Sequence, residues 1–374
     1  MTKFQSRGWF LAGLLICLSA PFPMGEHDLI LPIGLTPQIY LSGAIFIVAA
    51  ILCQKQSRGF WSIIPILALG IGIRMMTTAV HVPGVAGAAG WGFWLKAIGL
   101  WLAAWITVDV IVSNGERTRR SRWEDLAPAL LFGATLLLLW EWLVVGFGIS
   151  PIILLPPSAI GMAVWQFANT LATDFVWTFL HEVLLGWLIG SGSGFLVALV
   201  ADRVPFLRRG LLPLGNVVSA LPIVGIAPIM IWWFTYDWPS KTAVVVAMTF
   251  FPMLVNTVAG LAASGALERD LMRSYGASYW PTLVSLRLPA AMPFIFNGLK
   301  INSTLAMIGA IVAEYFDGPT IGMGFRINTQ AALSQTDIVW AEIAVAMVAG
   351  SLFYGLIAVI ERAVTFWHPS YRRA

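Results

Sequence analysis

The chain is dominated by runs of about 20 mostly apolar residues, the length that a helix needs to cross a bilayer. Ten such runs can be marked, at about 8–24, 37–53, 60–80, 90–113, 127–149, 178–201, 211–236, 241–264, 291–316 and 337–364. In hydrocarbon every backbone N–H and C=O must be satisfied within the chain, so each run reads as a helix. The expected fold is therefore all-α: a polytopic membrane protein in contact with a lipid bilayer. Composition agrees, with 59% hydrophobic and 11% charged residues among 374, against roughly 25% charged in a soluble domain.

Charge placement orients the runs. With both termini on one side, seventeen Lys and Arg residues fall on that side and only Lys241 and Arg326 on the other. Cytoplasmic segments hold such an excess, so both termini are expected in the cytoplasm of a bacterial cell with the chain in its inner membrane. A reporter fused after Arg120 or Arg209 should then be cytoplasmic, and one fused after Gly87 or Gln330 periplasmic; a periplasmic reporter after Arg209 would overturn the topology. Lys3 and Arg7 followed by an apolar run to Ala20 also fit a signal peptide, with Leu18-Ser19-Ala20 as a loose cleavage site; a retained first helix is the preferred reading.

The positive charge, +4 in all, lies between apolar runs rather than in one basic stripe, so no nucleic-acid partner is expected. Cys17 and Cys53 sit in apolar segments without a CxxC pair, and His27, His81, His181 and His368 are widely spaced. Metal and disulfide chemistry are therefore not expected. Organisation divides at the basic stretch NGERTRRSRWED: residues 1–113 form an extension of about four spans, 114–126 a cytoplasmic linker, and 127–374 a unit of about six spans.

Between two apolar runs stands DLMRSYGASYWPTLVSLRLP, residues 270–289. Leu267, Leu271, Met272 and Tyr275 recur at helical spacing opposite Glu268, Arg269, Asp270, Arg273 and Ser274, which predicts a short amphipathic helix against the membrane surface. Gly276 permits a left-handed exit. Ser278 is a candidate cap for a second short helix, Pro281 fits its first turn, and Pro289 is expected to end it. The stretch thus reads as a helix-turn-helix elbow protruding from the bilayer.

With Asp270, Gly276, Ala277 and Leu286-Arg287-Leu288-Pro289 at these intervals, the elbow resembles the signature of permease subunits of binding-protein-dependent ABC importers. That signature reads E-A-A, three residues, G, nine residues, I-x-L-P. Here Asp270 replaces Glu, Leu271 and Met272 replace the alanines, and Leu286 replaces Ile. LLPPSAIGMAVWQF, ALPIVGIAPIMIWWF, FFPMLVNTVAG and IVAEYFDGPTIGMGFRI look like further landmarks of the nitrate, taurine and alkanesulfonate branch, over about residues 150–366. The resemblance implies a permease dimer, two separate ATPase subunits docked on elbows formed by Asp270, Arg273, Gly276, Ala277, Leu286, Leu288 and Pro289, and a periplasmic substrate-binding protein. It implies a solute such as a sulfonate, nitrate or a vitamin precursor. No GxxxxGK[ST] phosphate loop is present, so ATP is expected on partner chains and no cofactor on this one.

Pro222, Pro228 and Pro252 interrupt spans, as cavity-lining segments can tolerate. Together with Asn256, Lys300 and Glu314 they are the candidate pathway residues, Lys300 favouring an anion. Glu141, Arg74, Lys96 and Asp109 are further ionisable groups in spans, with Arg74 and Asp109 a possible pair, and Glu314 and Glu342 are placed near the outer face. Gly186, Gly190 and Gly194 recur every four residues and read as close packing within the chain. An ion-coupled secondary transporter is the alternative, but the inverted repeats it predicts are not found. An enzyme is not expected: His181-Glu182 lacks the second His of HExxH, position 185 being Leu.

Overall fold

A computed structural model describes residues 3–18, 44, 63–81, 85–115, 122–219, 222–234, 237–316 and 321–367. These residues are helical almost throughout, without a strand, and contacts divide the chain into two compact units, Met1–Ile160 and Gly161–Ala374. Among the described residues five stretches are long and apolar enough to cross a membrane: Pro128–Gly146, Ala168–Arg203, Trp238–Ala262, Tyr279–Phe316 and Thr336–Val364. The expected span at 37–53 lies outside the described residues.

In the first unit, helices α1 (Lys3–Leu18), α2 (Ile63–Val80), α3 (Trp91–Gly115) and α4 (Arg122–Gly146) enclose a core that includes Ile16, Met76, Phe93, Leu100 and Trp142. Glu141 is buried, and accepts hydrogen bonds from the Ser158 amide (2.9 Å) and hydroxyl (2.6 Å). His81 stands 3.3 Å from the same carboxylate. Lys96 is enclosed and Arg74 exposed; the side chain of Asp109 lies outside the described residues. By contacts α4 groups with this unit, although it begins within the basic stretch, at Arg122, and most of it follows that stretch.

The second unit begins within α5 (Pro157–Gln166), followed by α6 (Ala168–Trp177), a π-turn at Thr178–Leu184, and α7 (Leu185–Arg203). The wide turn changes which carbonyls are free; that of His181 accepts the Thr242 hydroxyl from the neighbouring helix at 2.8 Å. The expected span at 211–236 is two helices, α8 (Pro205–Ser219) and α9 (Ile223–Phe234), with Pro222 between them. A proline has no N–H to continue a helical ladder, so the apolar run does not become one helix.

At the centre lie α10 (Trp238–Ala262) and α13 (Leu288–Phe316), packed on each other and flanked by α7 and α15 (Thr336–Val364). Asp237 caps α10 by accepting the Trp238 amide at 2.7 Å, and Lys241 is buried inside its first turns rather than in a loop. A Cβ at Gly186, Gly190 or Gly194 would strike Val245, Thr249 or the Phe250 carbonyl of α10. The glycine ladder therefore serves packing inside the chain, because only a missing side chain lets the two backbones approach.

Candidate functional site

Helix α11 (Ala266–Ser274) and the short α12 (Tyr279–Thr282) build the elbow. The first ends in a Schellman motif. The amide of Ala277 reaches back to the Met272 carbonyl at 3.0 Å and that of Gly276 to Arg273 at 2.9 Å, while Gly276 takes φ = +69°. Local chemistry thus produces the turn anticipated from the glycine, since the left-handed conformation costs Gly nothing. Ser278 occupies the cap position of α12, but its hydroxyl makes no cap bond; its carbonyl receives the Thr282 amide and hydroxyl instead.

Pro289 does not end the second helix. A π-turn at Leu283–Arg287 leads directly into α13, with the Leu288 amide bonded to the Leu283 carbonyl, and the helical stretch runs unbroken from Tyr279 to Phe316. Pro289 is the second residue of α13; it has no N–H to donate, and it follows directly on the wide turn, where the helical hydrogen-bond register shifts. Leu286 and Ala277 are half-buried, and Leu288 packs with Leu261, Leu283 and Ile295.

The elbow's base is clamped. Arg287 makes a two-point ion pair with Asp202 at the end of α7, both N–O distances being 2.7 Å, and its Nε donates to the Leu261 carbonyl at 3.0 Å. The Tyr279 hydroxyl donates to the same carboxylate at 3.0 Å, and the Arg203 guanidinium lies 4.5 Å from the Tyr279 ring centre. The Asp202 carboxylate therefore ties the end of α7 to Tyr279 and Arg287, and Arg287 in turn holds the end of α10. Paired guanidinium and carboxylate planes fix angle as well as distance. Asp270 and Arg273, by contrast, stand 3.6 Å apart on the exposed face of α11, a geometry that contributes little stability.

Beyond the clamp the elbow presents an uncovered apolar surface: Leu267, Leu271, Tyr275 and Trp280 are 82%, 56%, 81% and 68% exposed. The same short helix carries Glu268, Arg269, Asp270 and Arg273 and has no buried residue. An apolar patch rimmed by charge marks a contact surface for a partner.

At the other end of the spans a second polar constellation holds the turn before α14 (Met323–Ala332). Asp174 accepts the Gly322 amide (3.1 Å) and pairs with Arg326 (2.7 Å). Glu314 accepts the Gly324 amide (2.6 Å) and the Thr178 hydroxyl (2.7 Å), whose oxygen receives the Met323 amide (3.0 Å). Three successive N–H groups at a helix start are thereby satisfied by acidic or hydroxyl oxygens. The hydrogen bond from Arg326 to Asp174 raises the guanidinium above its usual range. Gly322, at φ = +139°, and Gly324 leave room for the Glu314 side chain and the Ile311 carbonyl. Glu182 and Glu342 are likewise fully enclosed, against Glu314 and Asp174.

The candidate pathway residues stand in different settings. Pro222 is exposed between α8 and α9; Pro228 and Pro252 are half-buried inside α9 and α10. Lys300 is held by Glu361 at 2.7 Å, and Glu314 is fully buried in the turn just described. Both charges are thus engaged inside the protein. Asn256 accepts from the Asn297 amide at 3.2 Å and donates to the Pro252 carbonyl at 2.8 Å. Asp202, Asp174 and Asn297 were not singled out from the sequence, and Arg287 was noted within the elbow motif but given no role; an acidic residue beside an apolar run, at Asp174, and the polar interruption of a span at Asn297 were the available signals. Among the described residues no group of His, Cys, Asp or Glu side chains could hold a metal ion.

Membrane-length helices and a clamped elbow with an exposed apolar face define a multi-pass membrane protein. Residues 183–366 match the model of the family described as binding-protein-dependent transport system inner membrane component. The chain is 32% identical over 217 residues to a probable ABC transporter permease protein of Haemophilus influenzae, covering 58% of this chain and 87% of the relative. It is 29% identical over 250 residues to the riboflavin transport system permease protein RibX of Chloroflexus aurantiacus (65% and 92%). With the taurine transport system permease protein TauC of Escherichia coli it shares 27% identity over 281 residues (70% and 98%). The chain belongs to this family of ABC importer permeases; these relatives are transport proteins, not enzymes.

Proposed function

We propose that two copies of this chain form the translocation pathway of an importer, each copy seating its elbow on a separate ATPase subunit, with a substrate-binding protein delivering solute to the opposite face. The observation that carries the reading is the exposed apolar face of Leu267, Leu271, Tyr275 and Trp280 on an elbow locked to the membrane helices through Arg287 and Asp202. A rigid protrusion passes on a rigid-body movement, as two packed arrangements of an importer require. The elbow faces the cytoplasm, where the charge bias places it together with both termini. Residues 127–374 act as the permease, and residues 1–113 are an N-terminal extension of it.

The solute is a small organic or inorganic anion, such as a sulfonate or nitrate, or a vitamin precursor. The relatives named for taurine and riboflavin support this range. The Lys300–Glu361 pair removes Lys300 as an argument for an anion in particular. Selectivity resides mainly in the binding protein. Purification of the chain from membranes with its ATPase, followed by reconstitution, tests the reading: co-purification and ATP hydrolysis stimulated by the loaded binding protein are expected. Uptake that proceeds without ATP and follows a proton or sodium gradient would favour the ion-coupled alternative.

A further inference from the structure

Helix α13 is packed on most of its circumference. Between Leu288 and Val312 its exposed residues are Phe294, Asn297, Ile301, Thr304 and Ile308, one stripe at three- and four-residue steps. The exposed sides of α7 and α15 are aliphatic by comparison, with Leu188, Leu196, Met347 and Leu352 among them. Ser351 on α15 is exposed, but its hydroxyl is turned back to the Met347 carbonyl at 2.8 Å. Thr304 is satisfied in the same way by the Ile301 carbonyl. Neither hydroxyl therefore tells lipid from water.

Asn297 does. Its amide donates to Asn256 on α10 at 3.2 Å, and no carbonyl of its own helix takes it up. Away from helix ends it is, among the described residues, the one exposed side-chain amide in a membrane-length helix. It lies about 13 Å along the axis from Leu288. The amide oxygen and the second N–H of Asn297, which the Asn256 contact does not use, would go unsatisfied in hydrocarbon, and such a placement is unfavourable. Its surroundings are therefore polar. The neighbouring charges offer no alternative explanation, since Lys300 bonds Glu361 and Glu314 bonds Thr178 and Gly324.

We infer that the Asn256–Asn297 pair and the exposed stripe of α13 form the wetted wall of the passage and meet the solute through uncharged amide groups. This rests on the permease reading and deepens it: the wall recognises polar solutes by hydrogen bonding, whatever the sign of their charge, rather than through a fixed counter-charge. The two charges that the sequence offered as pathway groups serve packing instead.

Cysteine substitution in the full-length chain, purified with its ATPase and with Cys17 and Cys53 replaced by serine, tests the wall. The probe is the anionic reagent sulfonatoethyl methanethiosulfonate, which needs a hydrated thiolate. Asn297→Cys is expected to react roughly ten-fold faster or more than Leu188→Cys and Leu352→Cys on the aliphatic faces. Ile301→Cys, on the same stripe but itself apolar, is expected to react like Asn297→Cys, and it carries the test if the first variant does not assemble. Rates at 297 and 301 as low as at 188 and 352 would overturn the inference in favour of a lipid-facing stripe. Ready crosslinking between two copies through these cysteines, without reagent modification, would overturn it in favour of a subunit seam. ATPase co-purification, scored on the same samples, reports on the permease reading separately.

Discussion

Replacing Arg287 with methionine is expected to destabilise the permease by about 3–5 kcal/mol, the usual consequence of removing one partner from a buried ion pair. Asp202, 4% exposed at its side chain, would lose both guanidinium bonds and keep the single one from the Tyr279 hydroxyl. The Leu261 carbonyl would lose its bond from Nε as well. A lower thermal midpoint in detergent, together with protease cleavage near residues 262–290, is the expected result. Replacing Asp202 and Arg287 together by leucine and methionine should restore part of the loss, because no uncompensated charge then remains. An unchanged midpoint in the Arg287→Met protein would mean that the clamp does not hold the elbow.

The second large effect is functional rather than global. Gly276 has φ = +69° and open space where a Cβ would stand, so Gly276→Val meets no neighbour and suffers only backbone strain, about 1–3 kcal/mol for a β-branched residue. The strain is relieved by redirecting α11, which has no buried residue, relative to α12, which is continuous with α13. Insertion and abundance should stay near normal while solute uptake and solute-stimulated ATP hydrolysis fall together. Charge reversal at Asp270 or Arg273 should weaken ATPase docking more mildly, since the pair is solvated. Wild-type docking and coupled transport in the Gly276→Val protein would show that the elbow is not the coupling element.

The elbow was the most legible part of the chain. Its amphipathic first helix, its glycine exit and the placement of Pro281 follow from hydrogen bonds between residues close together in the chain, which a short stretch of sequence contains. Pro289 was misread as a stop because the π-turn at Leu283–Arg287 shifts the hydrogen-bond register just before it, and no composition signal marks such a turn. The run at 211–236 shows the converse: apolar content indicated one span, while Pro222 separates two helices. For the pathway, rarity of charge in the spans drew attention to Lys300 and Glu314, and packing has engaged both. The less conspicuous Asn297 remained exposed.

By itself the sequence determined the all-α membrane class, the positions of the five long apolar helices, the turn at Gly276 and the family resemblance, because apolar period, turn chemistry and motif spacing are local properties of a chain. Only the tertiary structure decided that Arg287 meets Asp202 across 85 residues, Lys300 meets Glu361 across 61, and Arg326 meets Asp174 across 152. The same holds for the face of α13 left uncovered. A charge in a span must find a partner, but which one depends on the depth and rotation at which two helices pack, and those follow from the glycine contacts and side-chain volumes of all the surrounding helices together.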